Sequence, residues 1–199
     1  MRTRRSDTPF DEGLQTLKHG GKARFAGHDK SRENPAEGSI MTATGEVRPG
    51  EVAVDLPEAF DAGVYFIGRI RTPFKTRADC PRNTAESEAT GRVELDPRYA
   101  AGLQDLGLYS HAILLYWMNE ARRDLLLQAP AHLQGRPRGT FALRSPVRPN
   151  PIALAVVELI AIDGTTLTVG KVDCIDGTPL LDIKPYYAST DSVPGARRL

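Results

Sequence analysis

Beyond residue 62 the chain breaks into short apolar runs rich in β-branched and aromatic side chains, each closed by a turn residue. Residues 63–70 end at Thr72-Pro73. Residues 91–96 alternate apolar and polar positions and stop at Pro97, and residues 109–118 form a longer run that reads as a strand buried on both faces. Runs at 139–143, 152–162 and 167–174 follow, with Asp163-Gly164 as the hairpin signal between the last two. Five or six strands at this spacing leave little room for crossover helices. The pattern predicts a mainly β fold, a single closed or nearly closed antiparallel β-barrel. One or two short helices complete it, residues 120–128 being the best candidate and 98–103 a second.

The first 40 residues differ: their large apolar side chains are few (Phe10, Leu14, Leu17, Phe25, Ile40), and charged residues and glycines are scattered without period. Residues 1–60 are read as a disordered or loosely attached leader and 61–199 as the barrel domain. Met41 follows the most polar part directly and would serve as a second start. His19-Gly20-Gly21-Lys22 lacks the spacing of a phosphate loop and carries no functional weight.

Charge changes the picture little in total and much in detail. Lys plus Arg number 26 against 25 for Asp plus Glu, so the net charge of +1 exerts no global pull on polyanions, and any such site must come from local clustering. The cations are 20 Arg and 6 Lys, a choice that suits forked contacts to phosphate or carboxylate. The longest apolar run, 112–118, is far short of the roughly 20 residues of a spanning helix. Two cysteines, Cys80 and Cys174, form neither a disulfide framework nor a zinc spacing. No G-x-G-x-x-G follows the first strand, so the fold is expected to be non-Rossmann. No metal and no membrane are expected, and the cytoplasm is the default compartment.

Two segments concentrate chemistry. Residues 136–151 hold Arg136, Arg138, Arg144 and Arg148, four prolines and no acid. Proline lowers the entropy of ordering a loop, so guanidinium groups here can be set before a ligand arrives. The segment reads as a grip for an anion or an RNA backbone, or as an edge loop whose arginines pair with acids elsewhere. The second segment is 173–187. Asp176-Gly177-Thr178-Pro179 is a turn sequence, and in the stretch after it Asp182 and Lys184 share one strand face. An acid, a base and an aromatic beside a turn read as a pocket wall or as a surface ion pair. Cys80, with no His nearby in sequence, reads as a packed thiol, and the four His residues assemble no zinc site or catalytic triad.

Ile67-Gly68-Arg69-Ile70, Thr72-Pro73-Phe74-Lys75, Pro81-Arg82-Asn83, Tyr109-Ser110-His111, the R-S-P-x-R-P-N-P-I stretch and the D-G-T-P-x-x-D-I-K-P-Y stretch together resemble the TsaA-like family. Its best characterised members are tRNA methyltransferases acting on threonylcarbamoyladenosine beside the anticodon. The resemblance implies a β-barrel that binds S-adenosylmethionine, usually as a homodimer, and methylates N6 of that nucleoside in tRNA. By position it puts cofactor contacts on Pro81, Arg82, Asn83, Asn119, Glu120, Arg144, Leu154, Asp176, Gly177, Thr178 and Pro179. Asp182 is the candidate catalytic base, with Tyr186 as hydrogen-bonding partner. Arg148, Asn150, Lys184, Arg136 and Arg138 are candidates for the modified base and the tRNA. The alternatives are a non-catalytic S-adenosylmethionine- or RNA-binding module, and a same-fold methyltransferase for another nucleotide or a small metabolite.

Overall fold

In the run that forms the longest apolar strand, alternate side chains (Ala112, Leu114 and Tyr116) turn inward while their neighbours stay partly exposed, as the period of two requires. The same alternation buries Val93 and Leu95, Ala155 and Val157, and Leu167 and Val169. The computed structural model describes residues 46–59 and 61–198. In chain order its strands are β1 (Val52–Ala53), β2 (Gly68–Arg71), β3 (Gly91–Leu95), β4 (His111–Trp117), β5 (Leu125–Gln128), β6 (Arg138–Gly139), β7 (Ile152–Asp163), β8 (Thr166–Val169) and β9 (Thr178–Pro185). A short helix, α1 (Ala188–Asp191), follows the last strand.

Six strands close a barrel in the order β2-β3-β8-β7-β4-β9, with every neighbouring pair antiparallel. Closure leaves no sheet edge, and the inward side chains fill the interior as one core running from Ile70 to Leu180. The mainly β, non-Rossmann expectation is met. So is the hairpin: Asp163 pairs with Thr166, and Gly164 takes φ +56°, the positive angle a primed two-residue turn asks of its first residue. Between Leu115 and Tyr116 the pairing with β9 skips a residue, so that Leu115 faces Asp182 and Tyr116 faces Leu180. A second sheet of three strands, β1-β5-β6, carries the segments that flank the cleft described below.

Residues 120–128, expected to be helical, instead form a loop and β5. A helix of that length gains little unless it packs, whereas β5 finds backbone partners on both sides, Val52–Ala53 and Arg138–Gly139. Of the strand expected over 139–143, only Gly139 pairs, together with Arg138 before it; Thr140–Ala142 winds into a 3-10 turn because the Thr140 hydroxyl turns inward to donate to the Leu125 carbonyl at 2.7 Å. The run expected over 167–174 stops pairing at Val169, and Lys171 at φ +58° then redirects the chain. Residues 97–103 do form a helical turn, of 3-10 type, capped by the Asp96 side chain. Most of the expected leader, including His19 to Lys22, lies outside the described residues. Within its last part Val52–Ala53 pairs with β5 and Glu51 is buried.

Candidate functional site

The turn before β9 is stitched to the segment after β2. Asp176 Oδ1 accepts the Thr72 amide at 3.1 Å, and its Oδ2 pairs with Lys75 Nζ at 2.9 Å. The Thr72 hydroxyl donates to the Cys174 carbonyl at 2.8 Å, and the Gly177 amide to the Ile70 carbonyl at 2.8 Å. Gly177 sits at φ +79°, where a side chain is strained. The Lys75 hydrogen bond, followed by that of the Thr72 amide, holds the Asp176 carboxyl below its ordinary value. Nearby, Asn83 Oδ1 caps a 3-10 turn by accepting the Ala85 amide at 2.9 Å, and its Nδ2 donates to Glu86 Oε1 at 2.9 Å.

The arginine-rich segment is braced from within. Arg148 Nη1 donates to the carbonyls of Leu143 (3.3 Å) and Ser145 (3.2 Å), Arg144 Nη2 to the Leu154 carbonyl (3.0 Å), and Arg123 Nε to the Pro149 carbonyl (2.6 Å). Buried Gln128 ties it to the small sheet, its Nε2 donating to Thr140 Oγ1 at 2.8 Å and to the Val147 carbonyl at 2.7 Å. Backbone carbonyls thus accept from both Arg144 and Arg148.

Between the braced segment and the stitched turn lies a cleft of about 1630 Å³. Tyr116, carried inward by β4, and Asp173 line it, and the Tyr116 hydroxyl donates to Asp173 Oδ1 at 2.6 Å. Burial pushes the Asp173 carboxyl above its ordinary value, against the Tyr116 hydrogen bond and the Arg144 charge. Burial, and then the neighbouring Asp173, push the Tyr116 phenol up as well. Cys174, also buried here, is pushed up to about 12, chiefly by desolvation. Glu51 is held down at about 2, chiefly by the Arg48 side-chain hydrogen bond, and Arg48 Nη2 lies 2.6 Å from its Oε1. Among the described residues no group of three or more His, Cys, Asp or Glu could hold a metal ion. No helix among them is long and apolar enough to cross a membrane.

A family model for the tRNA-methyltransferase O N-terminal domain matches residues 69–192, the barrel and most of the cleft. The chain belongs to the tRNA-methyltransferase O N-terminal domain family. It is 45% identical over 148 residues to a probable S-adenosyl-L-methionine-binding protein, VirR, of Rhizobium radiobacter, covering 74% of this chain and 83% of that one. To the tRNA (adenine(37)-N6)-methyltransferase of Escherichia coli K12 it is 36% identical over 140 residues, covering 65% of this chain and 60% of that one. A solved structure of TrmO superposes with a TM-score of 0.59 at 34% identity, covering 70% of this chain and 64% of that one. The Pseudomonas aeruginosa TrmO structure superposes with a TM-score of 0.58 at 35% identity, over 70% of this chain and 61% of that one. This chain therefore spans about three fifths of the length of the methyltransferases it matches.

In this member of the tRNA-methyltransferase O N-terminal domain family the cleft gathers Pro81, Arg82, Asn83, Asn119, Glu120, Arg144, Leu154, Asp176, Gly177 and Thr178, the candidate cofactor residues apart from Pro179. Pro179 is the next residue along β9, buried and outside the lining. Arg148 and Asn150 line the same cleft. Arg136 is exposed, and Arg138 lies half-buried on β6; neither belongs to the lining. Asp182 sits in a separate cleft of about 590 Å³ beside Ile67, Tyr99 and Tyr109. Its Oδ2 pairs with Lys184 Nζ at 2.6 Å. The Tyr186 ring lies 6.4 Å from that of His111. One chain thus does not bring Asp182 and Tyr186 to the large cleft. Sequence reasoning missed Asp173 and Tyr116. The available signals were a second aspartate three residues before Asp176 and a phenol on the inward-facing period of Ala112 and Leu114.

Proposed function

We propose that this chain is an S-adenosylmethionine-dependent tRNA methyltransferase that acts on N6 of threonylcarbamoyladenosine next to the anticodon. The carrying observation is the convergence of the family's cofactor positions, drawn from segments far apart in sequence, on one cleft. The donor set fits the cofactor: the Glu120 and Asp176 carboxyl groups line the cleft for a cationic ligand, and the Gly177 turn and the Asn83 loop offer backbone close at hand. Pro81 to Asn83, Asn119, Glu120, Arg144, Leu154 and Asp176 to Pro179 are the residues proposed to hold it.

S-adenosylmethionine, when bound, supplies an electrophilic methyl on a sulfonium sulfur. The protein's part is alignment, and much of the rate of such a displacement comes from holding the acceptor in line. A barrel-mounted cleft whose loops are already hydrogen-bonded suits that task. The acceptor nitrogen is conjugated to both a purine and a carbonyl, so it is a poor nucleophile until its proton leaves, and a base is needed. Arg148 and Asn150 both line the cleft, and the threonyl carboxylate is assigned to them because a forked guanidinium matches its geometry. Arg136 and Arg138, and Lys184 on the barrel, serve the tRNA backbone. Asp182 and Tyr186 lie outside the large cleft of their own chain, so a part for them in the transfer requires a second subunit in a homodimer. An Asp182→Asn chain that turns over at the wild-type rate removes it. A protein working on tRNA belongs in the cytoplasm.

Mass spectrometry of tRNA nucleosides from a deletion strain tests the reading. Loss of methylated threonylcarbamoyladenosine, restored by the full chain, is expected. An unchanged nucleoside profile together with calorimetric binding of S-adenosylmethionine would instead leave a binding module.

A further inference from the structure

We infer that Asp173 is the catalytic base of this site, taking the proton of the acceptor nitrogen within a single subunit. The inference rests on the methyl-transfer reading above and supplies the group that the reading lacks inside one chain.

Among the described residues six carboxyl side chains line the large cleft: Glu46, Glu51, Glu86, Glu120, Asp173 and Asp176. A carboxylate in contact with a cation is a weak base, which excludes Glu51, 2.6 Å from Arg48, and Asp176, 2.9 Å from Lys75. Glu86 accepts from Asn83 Nδ2 on the exposed side of its turn, and Glu46 and Glu120 are exposed. Of the six, Asp173 alone combines partial burial with the absence of an ion pair. Its hydrogen bond from a side chain comes from Tyr116, held at 2.6 Å by a barrel strand. That bond fixes the carboxylate's orientation and stabilises its charged form, while burial works the other way and raises its affinity for a proton. The titratable and charged groups that act on Asp173 are Tyr116 from β4, Arg144 from the arginine segment and Cys80 from the loop after β2, with Cys174 beside it in sequence.

The step balances. The nitrogen's electron pair forms the bond to the methyl carbon, the carbon–sulfur bond breaks with its pair left on sulfur, and the N–H proton passes to Asp173, which becomes a neutral carboxylic acid. The transferred charge thus ends as a neutral thioether and a neutral acid.

The test uses the full chain, S-adenosylmethionine and unmethylated tRNA carrying threonylcarbamoyladenosine. Asp173→Asn is close to isosteric and keeps an acceptor for the Tyr116 hydroxyl. It should lower single-turnover transfer about 100-fold or more, the usual span of a lost general base, and leave the calorimetric dissociation constant for S-adenosylmethionine within about three-fold. In the wild type, the rate should rise with pH as the carboxyl ionises. Tyr116→Phe removes a bond to the charged form, so it should move that midpoint to higher pH and keep transfer above it. Carbon-13 NMR of the Asp173 carboxyl should show the same upward shift without any turnover. Transfer by Asp173→Asn within two-fold of wild type overturns the assignment alone. So does a loss confined to S-adenosylmethionine affinity, which would make Asp173 a holder of the donor. If Asp173→Asn fails to fold, a Tyr116→Phe midpoint that does not move overturns the assignment in its place. No transfer by the unsubstituted chain overturns the functional reading and this assignment with it.

Discussion

Thr140→Val asks whether the arginine segment is carried by buried hydrogen bonds or by its prolines. Thr140 is 1% exposed, and its hydroxyl both donates to the Leu125 carbonyl at 2.7 Å and accepts from Gln128 Nε2 at 2.8 Å. Gln128, on β5, in turn holds the Val147 carbonyl at 2.7 Å, so Thr140 positions the side chain that links β5 to the loop bearing Arg144 and Arg148. Valine fills nearly the same volume without the hydroxyl. Two hydrogen bonds disappear, each with a net contribution of about 0.5–1.5 kcal/mol, and their partners stay buried, so the loss should be about 1–3 kcal/mol. For a chain of this size that is a fall of about 2–4 °C in Tm per kcal/mol, measured by calorimetry at neutral pH. Thr140→Ser separates packing from bonding, because it keeps both bonds and gives up one buried methyl group, which costs about 0.5–1.5 kcal/mol. The valine variant should melt below the serine variant, and only valine should weaken S-adenosylmethionine binding. A valine variant that melts within about 1 °C of wild type and binds as well refutes the reasoning and leaves the loop to its prolines.

Three further outcomes are expected. Glu51 sits at about 2 when folded, against an ordinary value of 4.5. Its contribution is therefore complete above the ordinary value and is lost as pH falls toward the folded one, so in chemical denaturation the stability gap between wild type and Glu51→Gln should close between about pH 5 and about pH 2. Removing the charges of Arg136 and Arg138 should flatten the salt dependence of tRNA binding, by about 0.7–0.9 in the log–log slope for each phosphate that is no longer neutralised; an unchanged slope takes both off the RNA surface. Cys174, buried and pushed up to about 12, should resist a thiol reagent at pH 8 until the chain is unfolded, and stoichiometric labelling of the native protein would show the core to be open there.

The barrel was legible because its strands obey a single rule. Alternation in β3, the unbroken apolar run of β4, a glycine turn between β7 and β8, and the absence of nucleotide-fold glycines all act locally, and local physics writes them into local sequence, although β4 buries only one face fully where the run read as buried on both. The small sheet was hidden for the opposite reason. Leu125–Gln128 carries no period of two, since it is buried at both ends and exposed between, and its identity as a strand depends on partners about 70 residues before it and about 10 after it. Thr140 reads as a strand residue by propensity and becomes a turn residue because one buried carbonyl takes its hydroxyl. Motif resemblance pointed to about a third of the residues that line the cleft. It could not deliver Asp173, whose standing comes from desolvation and from a phenol 57 positions away.

The same division bears on the two readings open for the arginine segment, a grip for anions or a loop paired with acids. The structure offers a third arrangement that serves both ends. Arg148 spends one nitrogen, Nη1, on two backbone carbonyls, and Arg144 spends Nη2 on one. A guanidinium has five N–H donors in a rigid fork, so bracing the loop leaves others to face the cleft that both residues line. The brace fixes the plane in which those remaining donors point, and ordering a long side chain before the ligand arrives removes a cost that binding would otherwise bear. Lysine, with one rotating head on a flexible stem, can perform either task but not both from one position. The arginine bias over lysine in this segment therefore has a structural cause in the carbonyl braces, independent of the overall charge balance of the chain.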